Sequence, residues 1–170
     1  MTAYIPPEHR ADQWARDAAR LYADGRTPAE IAALLWVNEG TALHMARTGL
    51  LPLAAEHLQQ LLGDSADDWL DARVTDYVEQ DLLDPDAALT VVALAVCTHD
   101  PLVLADAGQR WTLRPEWHSL GSPPAVTITA RHPDSPHVDL QHDDGDQEHE
   151  VDLTQLAAYQ LTGWNRQEVP

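Results

Sequence analysis

Apolar residues in the first hundred positions recur at the spacing of α-helices, with polar residues on the remaining faces. The first such stripe predicts a helix over about residues 8–24, and Gly25 is a typical residue for its end. The stripe consists of Trp14, Ala18, Leu21 and Tyr22.

The strongest local signal is the segment Thr27-Pro28-Ala29-Glu30. Thr27 suits an N-cap, and Pro28 suits the first helical position, where a missing N–H is not needed. Glu30 can bond back to Thr27 as the second half of a capping box. We therefore expect a second helix that ends near Trp36, with Ile31, Leu34 and Leu35 on its inner side.

Asn38 is a good N-cap for a third helix, which we expect to carry Leu43 and Ala46 and to stop at Gly49. Two more helical patterns follow, over residues 52–62 and 66–83. Residues 86–97 are apolar on nearly all sides, which fits either a buried helix or a buried strand. Residues 98–124 give no clear pattern.

From residue 125 the hydrophobic period changes to two, which is typical of strands with one wet face. Three strands are predicted, over about residues 125–131, 137–141 and 148–153, joined by two turns. We expect them to form an antiparallel meander. A closing helix over about residues 154–161 would cover its apolar face.

Residues 21–41, LYADGRTPAEIAALLWVNEGT, resemble the helix-turn-helix of resolvase-type recombinases, transposases and sigma-factor C-terminal regions. Besides the caps, the matching positions are Ile31, Ala32, Leu35 and Val37. With the flanking helical residues, the resembling module spans about residues 8–50, a quarter of the chain. It implies that the second helix of the motif would enter the major groove of DNA. The candidate DNA contacts are Arg26, Thr41, His44 and Arg47.

Two departures from that family favour a protein contact instead. Trp36 stands at the turn position where the family has glycine, a residue that adopts positive φ at little cost. The candidate recognition helix is also poor in cations, with Arg47 as its one arginine. Trp36 and Met45 are therefore the candidate protein contacts. A helical scaffold without a binding role is the third alternative.

The formal charge is −18, and it is unevenly distributed. Residues 1–50 hold five Arg and six acids (5 − 6 = −1), whereas residues 51–170 hold five Arg and 22 acids (5 − 22 = −17). This field repels nucleic acid and anionic membranes. It raises a rival hypothesis, an acidic inhibitor, immunity-type or DNA-mimic protein that binds a basic protein and no DNA.

Candidate catalytic and metal-binding groups are sparse. Cys97, the one cysteine, ends an apolar run and is expected to be a buried structural thiol, even with His99 nearby. Four histidines lie among acids in the meander, but their spacing matches no zinc pattern. We expect no catalytic residue, no metal and no cofactor, and therefore no enzyme. The histidines are His132, His137, His142 and His149.

These observations predict an α+β protein with an N-terminal helix-turn-helix region, a small antiparallel meander and a C-terminal covering helix. The regions would be residues 1–50, 51–100 and 101–170, which could form one continuous domain. The expected role is that of a cytoplasmic regulator or adaptor. We expect a protein partner with a basic surface, with DNA contact through residues 26–48 and a homodimer left open. No membrane partner is expected, since no apolar run is long enough to span a bilayer.

Overall fold

The computed structural model describes residues 7–117, 121, 124–132 and 134–165. The chain forms two compact units, residues 1–98 and 99–170. The first is helical and the second is built on an antiparallel sheet, so the α+β class is confirmed. No described helix has the length and apolarity needed to cross a membrane.

Five α-helices are described in the helical unit. A single-turn 3-10 helix, Gly63–Ser65, joins the third helix to the fourth. The ambiguous apolar stretch near residue 90 is a helix, and its buried positions include Ala88, Val92 and Val96. The helices are α1 (Pro7–Ala23), α2 (Pro28–Leu35), α3 (Glu39–Leu62), α4 (Ala66–Gln80) and α5 (Pro85–Thr98).

The prediction that a helix ends at Gly49 is wrong, because α3 continues through Gly49 and Pro52 to Leu62. Gly49 is a packing residue. A Cβ at this position would overlap the backbone carbonyl of Ala15 in α1, so glycine is what lets the two helices approach. Pro52 has no N–H to donate to the carbonyl four residues earlier in α3. This loss is tolerated because the turn is exposed, so water can donate a hydrogen bond to that carbonyl. The expected boundary at residue 50 therefore falls inside one helix.

Two residues predicted to lie on buried stripes are instead exposed: Trp14 (52% exposed) and Leu34 (55%). The helix predicted over residues 66–83 ends at Gln80, and Leu82 beyond it is 88% exposed. Trp69 is the one large side chain of α4 that is buried. Ser65 precedes α4, but its side chain makes no capping bond.

The second unit holds a five-stranded antiparallel sheet with the strand order β4-β3-β2-β1-β5. The three strands expected from the period of two occupy adjacent positions in it. The strands are β1 (Gln109–Leu113), β2 (Ala125–Arg131), β3 (His137–His142), β4 (Gln147–Asp152) and β5 (Tyr159–Trp164). A short helix, α6 (Pro101–Leu104), precedes them.

The predicted C-terminal α-helix over residues 154–161 is not present. A 3-10 helix, Leu153–Ala158, buries Leu153 and Leu156, and the chain then continues as β5. The physical reason lies in strand β1, which the sequence pattern did not reveal. Leu161 pairs with Trp111 of β1, so residues from 159 onward gain ladder hydrogen bonds that a helix would forgo.

The core of this unit contains a small polar network. Gln109 is fully buried, and its amide nitrogen donates to the carbonyl of Leu104 at 2.7 Å. Its amide oxygen accepts from the backbone N–H of Asp106 at 2.9 Å and from the indole N–H of Trp111 at 3.0 Å. The amide nitrogen and the amide oxygen of Gln109 therefore both have hydrogen-bond partners, which is the condition under which a buried amide is tolerated.

Candidate functional site

Helices α2 and α3 each begin at a side-chain cap. Thr27 Oγ1 accepts from the N–H of Glu30 at 3.2 Å, and Glu30 Oε2 accepts from the N–H of Thr27 at 2.9 Å. Asn38 Oδ1 accepts from the N–H of Thr41 at 2.8 Å. The predicted caps are therefore confirmed, and Asn38 also marks the end of the three-residue connection, residues 36–38, between α2 and α3.

Trp36 takes the left-handed conformation that glycine usually occupies at this position, with φ 60° and ψ 41°. Its backbone N–H still bonds the carbonyl of Ala32, and Val37 N–H bonds the same oxygen at 3.1 Å. The turn is thus formed despite the bulky side chain. An L-residue in this conformation costs about 1–2 kcal/mol.

The indole of Trp36 is 94% exposed. Burial of an aromatic side chain removes about 150–250 Å² from water, and this residue forgoes that gain. Leu34, in the last turn of α2, is 55% exposed. We call Leu34 and Trp36 the turn surface. Leu34 lies on α2 and Trp36 on the connection, and neither packs against the described core cluster.

The candidate DNA contacts fall in two places. Thr41, His44 and Arg47 are all exposed and are spaced three residues apart, so they share one face of α3. Arg26 is exposed on the connection between α1 and α2, where its N–H bonds the carbonyl of Leu21 at 3.0 Å. Met45 is different, because it is half-buried against the helical core.

The core cluster behind this face explains that difference. Its fully buried members are Ala18, Ile31, Ala42 and Ala46, with Ala32 nearly so. Met45, Leu35 and Val37 pack against them. The candidate protein contact at Met45 therefore offers less accessible surface than Trp36 does.

Arg47 lines a groove of about 240 Å³ between α3 and α5. The groove also contains Asp86 and Thr90 of α5, and leucines from both helices form much of the rest of its wall. The sequence did not indicate that α5 would stand beside this face. A phosphate approaching Arg47 along the groove would also meet the carboxylate of Asp86, which opposes it.

No protein-family model, curated protein or solved structure matches this chain. The role of the turn surface and of the α3 face must therefore be inferred from their geometry and chemistry.

The groups weighed for catalysis have structural contacts. Burial raises the pKa of the Cys97 thiol to about 12, and its Sγ lies 3.8 Å from the carbonyl oxygen of Leu50. This opposes formation of a thiolate nucleophile. His99 Nδ1 accepts the backbone N–H of Leu161 at 3.1 Å. Among the described residues, no group of three or more His, Cys, Asp or Glu side chains is arranged to hold a metal ion.

Proposed function

We propose that this chain is a non-catalytic regulatory or adaptor protein whose helical unit binds a partner protein through the turn surface. The observation that carries the proposal is the indole of Trp36, 94% exposed on a left-handed turn. Tryptophan is the residue most enriched among binding hot spots. A side chain that gives up burial and adopts an unfavourable backbone conformation is better explained by binding than by folding.

The chemistry of the α3 face supports protein over DNA as the partner. Arg47 is the one arginine in α3, and it shares its groove with Asp86. Helices that read the major groove place hydrogen-bonding and cationic side chains against base edges and phosphates. The α3 face offers Thr41, His44 and Arg47 for that purpose, within a chain of net charge −18.

The rival role, an acidic protein-directed inhibitor or DNA mimic, has one observation in its favour. The five carboxylates of α4 are exposed, and the helix has one cation, Arg73, which lies 3.9 Å from Asp76 and 5.4 Å from the ring of Trp69. Such a surface would attract a basic partner, and added salt would weaken that attraction. The acids are Asp67, Asp68, Asp71, Asp76 and Glu79.

The experiment that tests the lead proposal uses a photo-reactive tryptophan analogue, which keeps the indole, at position 36 or, as the matched control, at position 14, where the native Trp14 is 52% exposed. We expect position 36 to cross-link a specific protein in an extract of the native cells. Unlabelled wild-type protein should compete for this cross-link, and a Trp36→Gly variant should not. Equal labelling from both positions, or full competition by Trp36→Gly, would refute the proposal.

DNA binding is tested separately by fluorescence anisotropy with a labelled mixed-sequence duplex, at low and then physiological salt. Cationic DNA-binding surfaces give non-specific Kd values of about 10⁻⁴–10⁻⁶ M at physiological salt. We expect no binding. Binding that falls with salt and is lost in Arg47→Ala would instead assign the α3 face to DNA.

A further inference from the structure

The two edges of the sheet differ in how their backbone groups are used. At the β5 edge, Leu161 is buried and its N–H donates to the ring of His99 at 3.1 Å. At the β4 edge, four successive residues, 147–150, are exposed. No part of the described chain covers that stretch of β4. An exposed strand edge presents N–H and C=O groups to which another strand can pair.

The end of strand β4 is bonded to β3 through Asp139. Strand β4 carries a β-bulge opposite Asp139, where Glu150 adopts φ 53°. The Asp139 carboxylate accepts the N–H of Glu150 at 3.0 Å and a hydrogen bond from His132 Nε2 at 2.8 Å, and His149 Nδ1 lies 3.4 Å away. These bonds, led by that from His132, lower the pKa of Asp139 to about 2. The bulge interrupts the regular edge, so the stretch open to a partner strand is residues 147–149.

The negative charge of the β4 edge indicates which kind of partner strand could bind there. Residues 139–152 contain seven acids and no arginine or lysine. Asp143, in the turn, is paired with Arg110 at 2.8 Å. On β4 itself, Glu148 lies 2.9 Å from His142, and the Glu150 carboxylate has no ion pair within the described part of the chain. The strand therefore presents negative charge that no arginine of the described sheet neutralises.

A second copy of the chain is a poor match for this edge. Pairing two β4 strands would bring Glu148, Glu150 and Asp152 of one copy against the same carboxylates of the other. Like charges on directly opposed strand residues are destabilising. A strand with arginine or lysine side chains would place opposite charges there instead.

We propose that the β4 edge binds an extended, arginine- or lysine-rich segment of a partner protein as an added strand. Main-chain hydrogen bonds would supply affinity, and the carboxylates of Glu148 and Glu150 would select basic side chains. The surface belongs to the sheet unit and requires nothing from Trp36, so this proposal goes beyond the proposed function and stands or falls separately from it.

The probe is a fluorescein-labelled peptide of alternating arginine and valine, long enough to pair with residues 147–149 of β4, ahead of the bulge. Anisotropy at low salt should show saturable binding that weakens as salt is added. A Glu148→Gln/Glu150→Gln variant should bind about two- to thirtyfold more weakly, because it loses two exposed ion pairs with the peptide. Amide hydrogen exchange should slow within residues 147–149 when the peptide is bound.

Two controls separate strand addition from general attraction to an acidic protein. A Glu79→Gln/Glu116→Gln variant makes the same change in net charge at exposed positions off the strand and should bind as the wild type does. A peptide N-methylated at alternate backbone amides keeps its charge but loses donors, and it should bind at least tenfold more weakly, a loss of about 1.4 kcal/mol. Absence of binding at low salt, equal weakening by both charge variants, or undiminished binding of the methylated peptide would each overturn the proposal.

Discussion

The contact between α1 and α3 and the core of the sheet unit are packed in opposite ways. Where α1 meets α3, small residues face each other, with Gly49 against Ala15 and Ala19. The core of the sheet unit is filled by large side chains, including the fully buried Trp111 and Ile128. The helix contact has no room for an added atom, whereas removing a large side chain from the sheet core leaves a cavity. Adding an atom should therefore damage the helix contact, and removing atoms should damage the sheet core.

The largest expected effect is that of Trp111→Ala in the sheet unit. Removing this buried indole leaves a cavity and deprives Gln109 of one donor, and large-to-small changes of this kind cost about 3–5 kcal/mol. Denaturant unfolding monitored by circular dichroism measures the loss. Trp117→Ala, at a position 66% exposed, is the control and should change stability by less than about 0.5 kcal/mol. Similar losses in the two variants would contradict the packing described here.

Gly49→Ala should have the next largest effect on stability. It tests whether the contact between α1 and α3 has room for an added atom. The added Cβ would overlap the Ala15 carbonyl, which cannot move without displacing α1, so we expect a loss of about 2–3 kcal/mol. Gly40→Ala in the same helix adds the same methyl group where the nearest atom, Asn38 Oδ1, is 3.4 Å away. This control should gain up to about 0.5–1 kcal/mol through helix propensity. A tolerated Gly49→Ala would mean that α1 and α3 are not in close contact.

The carboxylate of Asp139 should make a smaller contribution to the stability of the sheet unit, and acid should remove it. The pKa of Asp139 is lowered from 3.8 to about 2, chiefly by the hydrogen bond from His132. A carboxylate with a depressed pKa stabilises the fold above its unfolded pKa, and this stabilisation is lost as pH falls toward 2. Wild type should therefore exceed Asp139→Asn in unfolding free energy above pH 3.8, and the gap should narrow toward pH 2. A constant gap would show that the carboxylate charge is not what ties β4 to β3.

The smallest expected effect has the opposite sign. Trp36→Gly relieves the left-handed conformation but gives the unfolded chain more freedom, so the net change should lie between zero and about 1 kcal/mol of stabilisation. Thermal or denaturant unfolding measures it, with Trp36→Ala as the control that removes the indole while keeping the strain. A clear loss of stability in Trp36→Gly would mean that the indole supports the fold, and the binding argument would lose its basis.

Features governed by neighbouring residues were predictable from the sequence. The capping box of Thr27 and Glu30 and the Asn38 cap depend on side chains three residues apart, and both are present. Gly49 could not be interpreted in the same way. A glycine that ends a helix and a glycine that admits a neighbouring helix look alike until Ala15 is known to lie opposite.

In the sheet unit, too, pairings between neighbouring segments were predictable and pairings between distant segments were not. Strands β2, β3 and β4 follow one another with short turns, and their alternation was readable. The pairing of β1 with β5 joins residues some fifty positions apart, such as Trp111 and Leu161. Nothing local requires residues 159–161 to leave a helix, because the partner strand supplies the reason. The groove beside Arg47 could not be predicted either, because one of its walls is formed by α5, a helix distant from Arg47 in the sequence.

The rate at which the half-buried thiol of Cys97 is chemically labelled can report the opening of the helical unit. Disulfide reagents react with the thiolate, and a pKa of about 12 leaves almost none of it at neutral pH while α3 and α5 stay together. Once the helices separate, the thiol regains ordinary acidity and reacts quickly. Because Cys97 is the one cysteine in the chain, the labelling rate of the wild-type protein reports the opening of a single, defined place.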